Sequence, residues 1–96
     1  MKTYYVYMVF CRDGNYYIGM TNDVDNRVAQ HNFGVDPDCY TFSRRPVVLV
    51  YSCSFSEVTE AIACEKQLKG WSRRKKAALA RGDWDAVKRF SRRRSR

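Results

Sequence analysis

Three ionisable side chains sit where helical periodicity calls for apolar ones. Between Asp23 and about Asn32 the pattern is helical, and at about 100° per residue Val24, Arg27, Val28 and His31 fall on one stripe. Asp23, Asp25 and Gln30 lie elsewhere, so Arg27 and His31, four residues apart, point toward whatever the helix packs on. Taken singly, each has a structural explanation: Arg27 as a snorkelling edge residue, His31 as a helix-end residue favoured by the dipole. A second helical stretch repeats the pattern, with Val58, Ala61, Ile62, Glu65 and Leu68 forming an apolar stripe around Glu65. Glu57 and Glu60 lie on its outer side. A carboxylate on a buried face is costly unless a cation, a metal or hydrogen bonds accompany it. A Glu65–Arg27 salt bridge would meet that need without chemistry. The other arrangement makes Glu65 a ligand for a hard metal ion and Arg27 a phosphate clamp in the same pocket. An Arg-rich C-terminal region favours the second.

The elements that must position these groups can be read in order. Thr3 to Cys11 and Tyr16 to Thr21 are rich in β-branched and aromatic residues and flank Arg12-Asp13-Gly14-Asn15, a hairpin signal. Thr21 or Asn22 caps the first helix. An irregular segment with Gly34 and Pro37 follows, and Pro46 then introduces Val47 to Phe55, an apolar run that predicts a central strand. Ser56 caps a helix to about Lys69, stopped by Gly70; Ser72 caps another that ends near Gly82. Asp83 caps a last short helix with Trp84, Val87 and Phe90. The order is ββαβαα plus a short C-terminal helix, an α+β (α/β) class. The chain reads as a single domain over residues 1–90, with 91–96 as a basic, disordered tail.

Turn length decides which tyrosines meet, because side chains alternate along a strand and a one-residue shift swaps faces. A two-residue Asp13-Gly14 turn would set Tyr17 opposite Phe10, away from Tyr5 and Tyr7. A three-residue Arg12-Asp13-Gly14 loop with Gly14 left-handed would set Tyr17 opposite Val9, on the face of Tyr7. Both remain open in the sequence. In either register Tyr16 faces away from Tyr17 and packs, while Gly19 shares the face of Tyr17 and leaves room for close approach of a phosphate backbone and water.

Charge adds a partner class. The 96 residues carry a net +8, but residues 72–96 alone hold eleven Lys and Arg against Asp83 and Asp85, a net +9 that leaves −1 for the rest. A basic end on a near-neutral body favours a polyanion, since phosphate contacts release counterions. The candidate contacts are Lys69, Arg73, Arg74, Lys75 and Lys76 around the third helix, with Arg44 and Arg45 from the irregular loop. Trp71, between a helix stop and a cap, reads as a packing residue. Cys11, Cys39, Cys53 and Cys64 show no zinc spacing, and with Cys11 and Cys53 in apolar strand-like runs and Cys64 in a helical one they read as small buried hydrophobes in a reducing, cytoplasmic setting. No segment has the length of a membrane span.

These residues together resemble the GIY-YIG nuclease domain, in the small stand-alone form similar to the nuclease module found in excinucleases. Tyr5-Val6-Tyr7 stands where the family has G-I-Y, Tyr17-Ile18-Gly19 is a full Y-I-G, and Arg27, His31 and Glu65 follow at compatible distances. The match runs through GWSRRKKAAL, Gly70 to Leu79. The resemblance implies a three-stranded antiparallel sheet flanked by helices, and phosphodiester hydrolysis with one divalent cation, Mg²⁺ or Mn²⁺. It makes Glu65 the metal ligand and sets Tyr7 and Tyr17 beside the attacking water, one of them as general base. Arg27 would stabilise charge on the phosphoryl oxygens, and His31 would assist by a hydrogen bond or proton transfer. Three positions depart from the pattern: Tyr5 replaces the first glycine, Met20 stands where many relatives have Lys, and Ala77 where some have Asn. The implied activity is a structure-directed DNA endonuclease, monomeric, with a part in repair or recombination. A nucleic-acid-binding module without efficient turnover, for DNA or RNA, is the alternative. The chain has no second reading domain, so recognition of shape over sequence is expected.

Overall fold

The computed structural model describes residues 2–91. Three strands, β1 (Tyr4–Cys11), β2 (Tyr16–Thr21) and β3 (Val47–Phe55), form an antiparallel sheet in the order β2-β1-β3. Four helices complete the fold: α1 (Val24–Phe33) between β2 and β3, then α2 (Val58–Lys69), α3 (Arg73–Ala80) and α4 (Trp84–Ser91). The expected α+β class and element order hold. Helix α4 takes in Ser91, so the structured part extends one residue past the expected boundary at 90, and the expected disorder of 92–96 lies outside the described residues.

The hairpin takes the three-residue loop. Tyr17 pairs with Val9 and Tyr7 with Gly19, and Gly14 has φ +87°, the left-handed value that its lack of a side chain permits. Contacts with residues outside the hairpin hold the loop. Arg44 Nε lies 2.8 Å from Asp13 Oδ2, Arg12 Nε donates to the Arg45 carbonyl at 2.7 Å, and Arg73 Nη2 donates to the Gly14 carbonyl at 2.8 Å.

The expectation that Val47 to Phe55 is the central strand is corrected: β3 is an edge and β1 is central. Met8 opposes Tyr51 while Val9 opposes Leu49, so Val50 is an extra residue in a bulge. The apolar run is thereby broken across both faces, and Val48 and Leu49 stay 58% and 37% exposed. By contrast Val6, Tyr7, Met8 and Val9 are all buried, because β1 is covered on both sides.

Two cores result, one on each face of the sheet. Val6, Met8 and Ile18 pack with Ala61 and Leu68 of α2, Ala78 and Leu79 of α3, and Ala86 and Val87 of α4; Tyr16 and Trp71 pack against this cluster. Tyr7, Val9, Cys11 and Val47 form the other, with Tyr17 and with Val24 and Val28 of α1. Local capping sets the helices. Asp23 accepts from the Asn26 amide and Ser72 from the Lys75 amide, and Gly34 at φ +75° ends α1. The expected cap of α1, Thr21 or Asn22, gives way to Asp23, and that of α2 moves one residue to Glu57, which makes no side-chain capping bond.

Candidate active site

The α1 face of the sheet carries four of the expected residues together. His31, on the last turn of α1, is 5% exposed and sits between two hydroxyls: its Nε2 is 2.8 Å from the Tyr7 hydroxyl and its Nδ1 is 2.7 Å from Thr41 Oγ1. Burial, with the Arg27 charge adding to it, lowers the His31 pKa from its ordinary value, so the ring is neutral at pH 7. Burial pushes the Tyr7 phenol up to about 12 against the opposing pull of the Arg27 guanidinium, so the free protein holds a neutral phenol with a proton to place. A guanidinium can only donate. With Arg27 beside the phenol, the Tyr7 proton is donated to His31 Nε2, which leaves Nδ1 to donate to Thr41. His31 is therefore a buried hydrogen-bonded base, not a solvated helix-end residue.

Tyr17 completes the cluster. Its ring centroid is 6.4 Å from that of Tyr7 and 5.2 Å from that of His31, and Tyr40 stacks on it at 5.9 Å with 19° between the planes. Tyr17 is half-buried, and burial raises its pKa as well. Arg27 is half-buried too and holds Gln30 Oε1 at 3.1 Å.

Gly19 has a different reason from the one expected. A Cβ there would fall 2.6 Å from Cζ of Tyr7, so the space above Gly19 is filled by the Tyr7 phenol and is not open to a phosphate. Gly19 seats the tyrosine.

Glu65 comes from the opposite layer. Helix α2 buries Ala61 and Leu68 and turns Cys64 to the core, while Val58 and Ile62 remain 39% and 37% exposed. The apolar stripe is thus narrower than expected, and Glu65 lies at its rim. Its side chain is 21% exposed and pairs with Lys69, four residues on, at 3.2 Å, so no Glu65–Arg27 salt bridge forms. Its charge is nevertheless felt at the Tyr17 phenol, as are those of Lys69 and Arg27. The two layers therefore meet at the β2 edge of the sheet.

The basic residues separate into two groups. Arg44 pairs with Asp13 and lies 3.9 Å from the Tyr40 ring centroid; Arg45 lies 4.2 Å from that of Phe42. Arg73 holds the hairpin loop, Arg74 covers Phe90 and Lys75 covers Trp71. Lys69 and Lys76 instead line a groove with Tyr16, Tyr17, Ile18 and Tyr40. Thr41, 1% exposed, and Tyr40 are additions to the expected set. Both lie in the irregular segment, where no periodicity assigns a direction to a side chain.

Among the described residues no three His, Cys, Asp or Glu cluster to hold a metal ion. A lone, half-buried hard-oxygen carboxylate does suit Mg²⁺, which keeps several waters and takes one or two carboxylates together with substrate phosphates. No helix among the described residues is long and apolar enough to cross a membrane.

Comparison with known proteins adds to this geometry. The profile of the GIY-YIG catalytic domain matches residues 3–78. A UPF0213 protein of Staphylococcus haemolyticus is 46% identical over 79 residues, covering 82% of this chain and 95% of its own. Another, from Halobacterium salinarum, is 46% identical over 76 residues, covering 79% and 97%. The solution NMR structure of the UPF0213 protein BH0048 from Bacillus halodurans is similar with a TM-score of 0.54, at 36% identity over 95% of this chain and 99% of that one. That of EF2693 from E. faecalis gives 0.58, at 25% identity over 100% and 95%.

Proposed function

Because the chain belongs to the GIY-YIG catalytic-domain family, we propose that it is a metal-dependent endonuclease that hydrolyses phosphodiester bonds in DNA. The observation that carries this reading is the 2.8 Å contact between Tyr7 and a histidine kept neutral by burial. Such a histidine is a proton acceptor already in place. As water attacks phosphorus, its proton goes to the Tyr7 oxygen while the Tyr7 proton passes to His31 Nε2. Thr41 holds the ring in the required tautomer from the other side. Arg27 opposes the negative charge as it develops on the phosphoryl oxygens within its reach. Tyr7 is 1% exposed and Tyr17 is half-buried beside it, so on this reading the attacking water would approach from the Tyr17 side, with the Tyr17 hydroxyl to orient it. The P–O bond to the leaving nucleotide breaks and its oxygen takes a proton from solvent, and the proton gained by His31 is returned to solvent through Tyr7 as the site resets.

Glu65 would hold the divalent cation, Mg²⁺ or Mn²⁺, which when bound supplies Lewis-acid stabilisation of phosphoryl and leaving oxygens. Lys69 must give up its 3.2 Å contact for that carboxylate to serve. On this reading substrate choice falls to the segment from Phe33 to Arg45 and the groove beside Tyr17, and the proposed substrate is a structured DNA of the kind met in repair or recombination. We place the protein in the cytoplasm and as a monomer.

Incubation with branched, nicked and plain DNA in Mg²⁺ or Mn²⁺ tests the proposal. Cleavage by the wild type should vanish in Glu65→Ala, and equal cleavage by that variant would sink it. Salt-dependent binding without cleavage in either metal would favour the binding-module reading, which the raised pKa of both phenols and the Lys69-occupied Glu65 already suit.

A further inference from the structure

One member of the basic run at the start of α3 differs from its neighbours. Arg73, Arg74 and Lys75 each cover a carbonyl or an aromatic ring of the protein itself. Lys76 turns the other way, into the groove at the β2 edge formed by Tyr16, Tyr17, Ile18, Tyr40 and Lys69. Two lysines line that groove and no acidic residue does. Lys69 is partly neutralised by Glu65 at 3.2 Å, whereas no ion pair among the described residues includes Lys76.

Lys76 is half-buried, and burial lowers its pKa from the ordinary lysine value. A half-shielded lysine in a groove of aromatic rings and another cation lacks the anion that would offset its loss of water. The groove wall it faces includes Tyr17, whose ring is 6.4 Å from that of Tyr7. An anion bound by Lys76 would therefore sit next to the reacting centre but outside the Tyr7–His31–Arg27 cluster.

We infer that this groove is a phosphate subsite for the DNA strand being cut, with Lys76 as its principal ligand and Tyr16, Tyr17 and Tyr40 as walls against sugar and base. The inference rests on the proposed nuclease reading and deepens it, because it assigns the phosphate next to the scissile one to a residue on the third helix. Lys69, paired with Glu65 at 3.2 Å, lines the subsite as its second cation.

The test measures binding of a short fluorescein-labelled DNA duplex by anisotropy in EDTA, where no cleavage occurs, across a series of salt concentrations. Loss of one phosphate contact lowers the slope of log K against log salt by about 0.9, a change expected for Lys76→Met. Lys76→Arg should keep the wild-type slope. Arg81→Met serves as the charge-matched control, since Arg81 faces Asp83 at 3.6 Å outside the groove, and it should change the slope little. Melting temperature establishes that each variant is folded, and Lys76→Gln is read in place of Lys76→Met should the latter unfold. A Lys76→Met slope equal to that of the wild type overturns the subsite, as does a loss no larger than that of Arg81→Met. Cleavage is scored separately in Mg²⁺ and Mn²⁺. Cleavage by the wild type with an unchanged Lys76→Met slope removes the subsite alone. Lys76-dependent binding with no cleavage in either metal removes the hydrolase reading and leaves the subsite standing.

Discussion

The two halves of the site are built differently. On the α1 face, Tyr7, His31 and Thr41 are all buried and joined by hydrogen bonds of 2.8 and 2.7 Å, with Arg27 beside them. On the α2–α3 side, Glu65, Lys69 and Lys76 are half-buried or exposed and make a single 3.2 Å contact with one another. Proton transfer needs fixed distances and a fixed tautomer, which a packed core provides. Metal and phosphate bring their own ligands and charges, so the groups that receive them are better left open. On the proposed reading, the half that would handle the proton is in place before substrate arrives, and the other half would be completed by it.

Tyr7→Phe probes this contrast most strongly. It should lower kcat by about 10²–10⁴, the usual worth of a general base, while divalent-cation binding is unchanged. Tyr17→Phe should cost less, because Tyr17 lacks the bond to His31, and single-turnover rates of the two variants compare them directly. Equal losses would break the distinction between the phenols. Next, Arg27→Met should reduce kcat by about 10²–10³ with little change in DNA binding. Gly19→Ala should destabilise the fold by about 1–3 kcal/mol through overlap with the Tyr7 ring, seen as a lower denaturant midpoint, and should also reduce cleavage.

The melting temperature should fall as pH drops below about 6.5. The His31 pKa is lowered in the folded state, so over that window the unfolded chain binds more protons and stability rises with pH. Tyr7 acts in the opposite direction at high pH. Its folded pKa of about 12 lies above the unfolded 10.0, so stability falls as pH climbs between those values. His31→Gln should remove the acid-side component, and an unchanged profile would count against a neutral buried ring. The smallest effect is expected on the open side. Lys69→Met removes a competing cation from Glu65, and because such pairs are worth about 0.3–0.5 kcal/mol, Mg²⁺ affinity by calorimetry should rise about twofold.

The closed half is more legible in the sequence than the open one. Arg27 and His31 can be aimed correctly because α1 is regular, and helical spacing carries direction. The same reasoning misplaces Glu65, since the stripe on α2 uses small Ala61 and Cys64 in preference to Val58 and Ile62, and volume does not appear in a polar–apolar pattern. The centrality of β3 is misjudged for a related reason: hydrophobicity is continuous, but the bulge at Val50 splits it between faces. Thr41 and Tyr40 carry no signal at all. Nor can charge alone single out Lys76 within a run of four basic residues, since its distinction is the direction in which α3 presents it.

Exposed hairpin tips are ordinarily where a gene can gain or lose a codon at little cost. The Arg12-Asp13-Gly14 tip is different, because its odd length is what sets Tyr17 on the same side of the sheet as Tyr7. Removing one residue would leave two strands able to pair, yet would turn the phenol toward the wrong core. The tip behaves as a parity bit: only the odd value keeps Ile18 in its core and Tyr17 beside Tyr7 at once.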